Sequence, residues 1–231
     1  MSAKKVAQSP TKGAETRQLV VARALQIAAR EGLGGLSIGR LAKELRMSKS
    51  GLFLHFGSKE KLESAVIELA RLHFFNHTVK PMQEAGLQGI ERVWALCDAW
   101  FDFREHGPLR GGYFFTGAFF QHANINGSIP RQIRRVVREW MDLLVEALKK
   151  GRRSDEFRRD IDAEEAAFDL NGILIGAQWA HLMTGRNYTK ARSAILSNLR
   201  SLATDEIPDR AFESVKAWKS YLKNRRAPAD R

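Results

Sequence analysis

Apolar positions recur along this chain at helical spacing, and no stretch alternates with a period of two for long enough to make a strand. Val20, Val21, Ala24, Ile27 and Ala28 mark a first helix that stops at Gly32, with Gly34 and Gly35 just beyond it. Ser37 is placed to cap a short second helix that buries Ile38, Leu41, Ala42 and Leu45, and Ser48 to cap a very short third through about Phe53. Ser58 opens a long fourth helix with Leu62, Ala65, Val66, Leu69 and Leu72 on one face, expected to end before Pro81. Further helices are expected at roughly 87–105, 112–122, 129–150, 162–184, 189–203 and 210–224. Glycine and proline separate them, at Gly107-Pro108, Gly127 to Pro130, Gly151, Gly185 and Pro208. The chain is therefore expected to be all-α, with a small three-helix N-terminal unit joined by the fourth helix to a larger bundle.

The segment from Ser37 to Phe53 carries the functional signal. Two helices this short are unstable alone and need Leu41, Leu45, Met47 and Leu52 to pack on the first helix. That arrangement leaves the N-terminus of the second one projecting, with Ser48, Lys49, Ser50 and Gly51 exposed. Small, polar and basic groups suit a helix that enters the major groove of DNA, where they can reach base edges. An ordinary helical hairpin with a solvated basic face would read the same way from composition.

Charge sharpens the picture. The 231 residues carry a formal net charge of +12. Residues 1–60 hold eleven bases against four acids, a net +7, leaving +5 for the other 171 residues. A concentrated positive field favours polyanions, either nucleic acid or an acidic membrane surface. The excess lies on a compact helical unit and not along a large amphipathic helix, which argues against the membrane. The longest uncharged stretch, Gly111 to Pro130, contains Gln121, His122, Asn124, Asn126 and Ser128, the wrong content for a membrane span. No apolar signal core follows Lys4 and Lys5, so the chain is expected to be cytoplasmic. One cysteine, Cys97, excludes both an intrachain disulfide and a cysteine-based zinc cluster.

Residues 16–62 resemble the DNA-binding domain of the tetracycline-repressor (TetR/AcrR-like) family of bacterial regulators. The resemblance rests on Arg17, Val20, Val21, Ala24, Ile27, Gly32, Ser37, Leu41, Ala42, Met47, Ser48, Lys49, Leu52, His55, Phe56, Ser58, Lys59 and Glu60, in the family's spacing without a gap. It implies that Ser37, Ser48, Lys49, His55 and Lys59 contact phosphates and that Ser50 and Gly51 lie nearest the bases. Three positions depart from the family pattern. Phe53 stands where the family usually has Tyr, so a hydroxyl that could bond a phosphate is missing. Arg46 replaces the usual turn glycine, and Gly51 leaves little side chain at a base-facing position. Arg46 counts among the DNA-binding candidates; if it keeps a positive φ it costs on the order of 1 kcal/mol, which a guanidinium beside DNA would offset.

The organisation that follows is a flexible basic arm (1–15), a helix-turn-helix domain (16–62, motif about 37–56), a ligand-binding and dimerisation bundle (63–204) and a C-terminal extension (205–231) expected to be a solvated tail. Nine of the twenty-one aromatic residues fall between 94 and 120. They either fill the bundle core or line an apolar cavity with a few polar groups. The resemblance favours a pocket in this region, and Trp94, Phe101, Tyr113, Phe114, Thr116, Phe120, Gln178 and His181 are its candidates, holding a small apolar or aromatic effector. Gly172, Gly176 and Ala180 form a stripe of small residues beside Ile173, and the next helix offers Ile195, Leu199 and Leu202. The resemblance implies that these two helices meet their copies in a homodimer; packing within the chain would use the same pattern. His73 and His77 are four apart, but no nearby carboxylate completes a metal site, so neither metal nor cofactor is expected. No nucleophile–base motif or glycine-rich phosphate loop suggests an enzyme. The expected function is a ligand-responsive dimeric repressor binding a pseudo-palindromic double-stranded DNA operator, with a constitutive or architectural DNA-binding protein as the alternative.

Overall fold

The computed structural model describes residues 12–109, 114, 117–118, 121 and 126–226. Among them every extended element is helical, and the only β-type pairing is an isolated antiparallel bridge between Phe157 and Ala203. The chain divides into two compact units, the first up to Leu72 together with Tyr113–Ile133, the second His73–Gly112 together with Arg134–Arg231.

In the first unit, α1 (Lys12–Glu31) buries Val20, Val21, Ala24, Leu25, Ile27 and Ala28, the stripe that the sequence marked. It starts inside the segment expected to be a flexible arm. Gly32, at φ 76°, ends it, and its N–H bonds the Ala28 carbonyl at 2.9 Å. α2 (Ile38–Glu44) and α3 (Lys49–Phe56) are as short as expected, α3 running three residues past Phe53. They are held by Leu41, Ala42, Leu52 and Phe56, all buried. Burying a leucine is worth about 1.5–3 kcal/mol, which supplies what two helices of seven and eight residues lack. Ala118, Phe114, Ile129 and Ile133 are buried as well.

α4 (Lys59–Phe74) ends before Pro81 as expected, but the helical backbone does not break there. It continues through one wide π turn, Phe75–Val79, into α5 (Lys80–Glu84), with Pro81 in the first turn of α5. Proline lacks an N–H and crowds the carbonyl four residues back, and a π turn absorbs that misfit locally. In the second unit follow α6 (Gly89–His106), α7 (Ser128–Arg153, which begins in the first unit), α8 (Ala163–Thr184) and α9 (Thr189–Leu202). Asp162 caps α8, its Oδ1 accepting the Glu164 and Glu165 N–H groups at 2.7 and 3.1 Å, and these bonds hold its carboxyl below the usual range. The helix expected at 112–122 lies mostly outside the described residues; Phe114, Gly117, Ala118 and Gln121 are helical.

The C-terminal segment corrects the sequence reading. Up to Arg226 it is not a solvated tail, and its single expected helix is a 3₁₀ turn (Asp209–Phe212) followed by α10 (Val215–Arg226). Ile207, Ala211, Phe212, Trp218 and Leu222 are buried in the core of the second unit, where the Trp218 ring stacks on Phe212 at 5.0 Å. Arg225 ties α10 to Glu156, whose Oε2 also accepts the Ile90 N–H at 3.0 Å. Gly89, at φ 54°, makes this approach possible: a Cβ there would overlap the Glu156 carboxylate.

Candidate functional site

Local hydrogen bonds set the α2–turn–α3 segment. Ser37, in extended conformation, accepts the Arg40 N–H at 3.5 Å, and Ser48 accepts the Gly51 N–H at 2.9 Å. The turn closes as a Schellman motif: Arg46 donates to the Lys43 carbonyl at 3.3 Å and Met47 to the Ala42 carbonyl at 2.8 Å. Arg46 occupies its left-handed position at φ 53°. Gly57, at φ 72°, closes α3, and Ser58 accepts the Lys61 N–H at 3.1 Å to open α4.

These turns orient a defined surface. Lys49, Ser50, Phe53 and Leu54 are exposed on one side of α3, while Leu52 and Phe56 face inward. Gly51 and His55 are half-buried at the margins. The hydroxyls of Ser48 and Ser50 lie 3.2 Å apart. A Cβ on Gly51 would sit 2.9 Å from Ser48 Oγ, so this glycine keeps the cap tight. A second glycine went unremarked in the sequence: a Cβ on Gly39 would meet Lys49 Cε at 3.2 Å, so Gly39 is the surface on which the Lys49 stem rests. Leu54, 87% exposed, was also passed over, because an exposed apolar residue interrupts the polar pattern.

Charges behind this surface are largely neutralised. Arg40 forms a fork on Glu31, with contacts of 2.5 and 2.9 Å, and also bonds Glu44 at 3.0 Å; Arg23 bonds Glu44 at 2.8 Å. The Arg40 bonds hold both carboxyls below the usual carboxylate range and raise the guanidinium's own pKa. Arg46 and Lys49 have no ion pair among the described residues, and Lys59 is only loosely paired with Glu63 at 3.4 Å. The acids thus lie on α1 and α2, and the unneutralised cations flank the start of α3.

The expected effector pocket is arranged differently. Trp94, Phe101 and Gln178 are buried within the second unit, and Phe114 is buried in the first. Phe101 stacks on Tyr188 at 5.1 Å, and His181 also stacks on Tyr188 at 5.1 Å while its Nδ1 contacts the Arg186 carbonyl at 2.8 Å. Tyr113, Thr116 and Phe120 lie outside the described residues. Of the candidates, Trp94 reaches an open cavity of about 610 Å³, together with Glu91, Asp98, Asp102, Arg192, Leu222 and Lys219. A second cleft of about 540 Å³ is lined by Ile173, Ala177, Ala180, Arg186, Asn187, Lys190 and Ala191.

The two helices expected at a dimer contact also divide. On α9, Ile195 and Leu199 are fully buried in the chain's own core and Leu202 packs against it, so they hold the helix to its own protomer. α8 presents Phe168, Ile175, Trp179, Leu182 and Met183 to solvent, and a Cβ on Gly172 or Gly176 would meet nothing within 4 Å. Ile173 and Ala180 are half-buried. His77 uses its Nδ1 on the His73 carbonyl at 2.7 Å, and burial, then the charge of His77, lowers the His73 pKa. Among the described residues, no group of three or more His, Cys, Asp and Glu could hold a metal ion, and no helix is long and apolar enough to cross a membrane.

Comparison with known proteins agrees with this geometry. The family model described as "Bacterial regulatory proteins, tetR family" matches residues 20–66, and the one described as "Tetracyclin repressor-like, C-terminal domain" matches residues 89–195. No curated protein matches. Among solved structures, a TetR-family transcriptional regulator from Cytophaga hutchinsonii aligns with a TM-score of 0.74 at 18% identity, covering 85% of this chain and 99% of that one. A regulator from Saccharomonospora viridis, solved in complex with choline, aligns with a TM-score of 0.73 at 20% identity, covering 82% and 98%. A TetR regulator from Chloroflexus aurantiacus gives 0.65 at 23% identity, covering 89% and 98%. These similarities show a shared fold. With both halves of the family's architecture matched and the helix-turn-helix in place, this chain belongs to the TetR family of transcriptional regulators.

Proposed function

We propose that this DNA-binding regulator is a ligand-responsive dimeric repressor, with α3 reading the major groove of a pseudo-palindromic operator. The observation that carries the DNA reading is the exposed face of Lys49, Ser50, Phe53 and Leu54, flanked by Arg46 and Lys59 and backed by acids already paired with Arg23 and Arg40. In this reading Ser37, Arg46, Ser48, Lys49, His55 and Lys59 meet phosphates. Ser50, Gly51 and Leu54 lie at the base edges, with Phe53 between the two groups. Phosphate contacts fix register, and base contacts carry the sequence information.

Dimerisation falls to the outer face of α8. Phe168, Ile175, Trp179 and Leu182 form one helical stripe too apolar to remain in water, and Gly172 and Gly176 let a partner helix approach closely. Ala180 and the exposed Ala194 and Ser197 of α9 extend the surface; Ile195 and Leu199 support it from beneath. The two α3 helices of such a dimer read half-sites when they lie about 34–36 Å apart, one turn of DNA. An effector that binds a conformer with another separation lowers operator affinity by its differential affinity for the two states. α4 carries the chain from one unit into the other and is the proposed lever. The open cavity beside Trp94 and the aromatic cluster around Phe101 and Tyr188 are the places for an effector, and the choline complex of the S. viridis regulator favours a small molecule here too. In this role the chain works without catalysis, and in the cytoplasm.

Footprinting on genomic fragments tests the reading, followed by thermal melts and operator release against a metabolite library. Protection of a two-fold site and a compound that both raises the melting temperature and releases the operator are expected. Uniform coverage of DNA would remove the repressor reading. Specific protection that no compound alters would leave the constitutive alternative.

A further inference from the structure

Two arginines of the second unit are treated very differently. Arg192 on α9 holds Asp98 at 2.6 Å and Glu105 at 3.0 Å. Arg104 on α6 is 94% buried, one residue from Glu105, and has no carboxylate partner among the described residues. One residue along a helix is a turn of about 100°, so Asp98 and Glu105 face Arg192 while Arg104 points with Trp100 into the aromatic cluster. Its guanidinium lies over the Trp100 ring at 4.5 Å, and its Nε is buried without a hydrogen-bond partner. Asp102, the remaining acid of that turn, bonds His106 at 2.9 Å and is exposed. Residues 1–11 and 110–125 contain no acid.

A buried cation stacked on one ring and lacking a counter-charge is costly, and burial brings the Arg104 pKa down to about 10. It remains charged at neutral pH, so the cost is not escaped by losing the proton. The cation–π contact and the C-terminal end of α6 recover part of it. The planar fork with a free donor is the group that matches a carboxylate.

We propose that Arg104 anchors the carboxylate of an effector whose aromatic or aliphatic body lies among Trp100, Phe101 and Tyr188. This rests on the ligand-responsive reading above and narrows its effector from apolar to an apolar acid. A monocarboxylate is favoured over a phosphate because one guanidinium among aromatic rings neutralises one charge; a dianion would leave its second charge buried. Binding an acid would remove the unpaired cation, so the liganded conformer gains stability through a contact that the free protein cannot make.

Three acids serve as probes, benzoate, 1-naphthoate and octanoate, each against its primary amide, in thermal melts and calorimetric titrations of the full chain. The wild type is expected to be stabilised by at least one acid and not by the matching amide at equal concentration. Arg104→Met, which fills the space without charge, should melt no lower than wild type and lose the acid's effect. Arg104→Lys keeps the charge without the fork, and should bind the acid about tenfold more weakly. Acid and amide acting equally, an acid effect that survives in Arg104→Met, or no acid effect on the wild type would each overturn the proposal. If Arg104→Met fails to fold, unchanged acid affinity in Arg104→Lys would overturn it as well. Amides that stabilise the wild type would leave the ligand-responsive reading standing; a metabolite library without any effect would remove both.

Discussion

Replacing Arg46 by glycine should make this protein more stable, although it removes a charged side chain from an otherwise intact turn. Arg46 sits at φ 53° with both Schellman hydrogen bonds formed. A left-handed conformation costs an L-residue about 1–2 kcal/mol. Glycine removes that cost but gives the unfolded chain more freedom, about 0.4–1 kcal/mol. The net gain is therefore about 0.5–1 kcal/mol, a rise of about 1–4 °C in melting temperature for a chain of this size. Arg46→Ala is the necessary control. It loses the same charge but keeps a Cβ, and hence the strain, so its stability should stay within about 0.5 kcal/mol of wild type. Urea unfolding followed by circular dichroism measures both. Salt-dependent DNA titrations of the same variants separate strain from charge: both should show a log–log slope smaller by about 0.9 if the guanidinium meets a phosphate. A glycine variant no more stable than the alanine variant would refute the strain argument, and unchanged slopes would remove Arg46 from the phosphate contacts.

Three further outcomes follow from the same surfaces. Lys49→Ala and Lys59→Ala should each weaken binding to all DNA and lower the salt slope by about 0.9, with Lys59 giving the smaller change because Glu63 lies 3.4 Å from it; filter-binding titrations across salt concentrations check this. Phe53 is 50% exposed, so Phe53→Tyr has room for its hydroxyl and should tighten specific and non-specific binding alike, by at most about 1.5–3 kcal/mol; tighter binding to the operator alone would place the ring at a base. A Cβ at Gly176 would meet nothing within 4 Å, so Gly176→Leu should keep its helical circular dichroism and sediment as a monomer, whereas a misfolded variant would show that the glycine packs internally.

How far the sequence could be read follows from how local each determinant is. Ser37, Ser48 and Ser58 cap helices by bonds to residues three along the chain, and Leu41 and Leu52 face inward as their spacing demands. The helix-turn-helix was legible for that reason. Periodicity shows that a helix has an apolar face but not what the face meets. Ile195 and Leu199 were therefore assigned to a partner subunit and lie in the chain's own core. The same limit hid the docking of α10. Ala211, Phe212, Val215, Trp218 and Leu222 form an apolar stripe, but Lys216, Lys219, Lys223 and Arg225 dominate the composition and suggested a tail. Two features had no local signal. The π turn before Pro81 breaks the helical count without changing residue types, and the aromatics around Phe101 could fill a core or line a pocket equally well. The missing partner of Arg104 became visible only once Asp98 and Glu105 were found on Arg192.

The central claim is that the exposed face of α3 reads base edges, and selection from randomised duplexes with wild type and Ser50→Ala tests it most directly. Ser50 is exposed, and its hydroxyl lies near only that of Ser48, which already caps the helix through the Gly51 N–H. Removing it should leave the fold and the phosphate contacts intact. Base contacts supply about 1–3 kcal/mol of discrimination each, so the variant should lose preference at one base position in each half-site, symmetrically about the two-fold centre, with an unchanged salt slope. Identical selected sequences for both proteins would contradict the account, as would a wild type that selects no two-fold site.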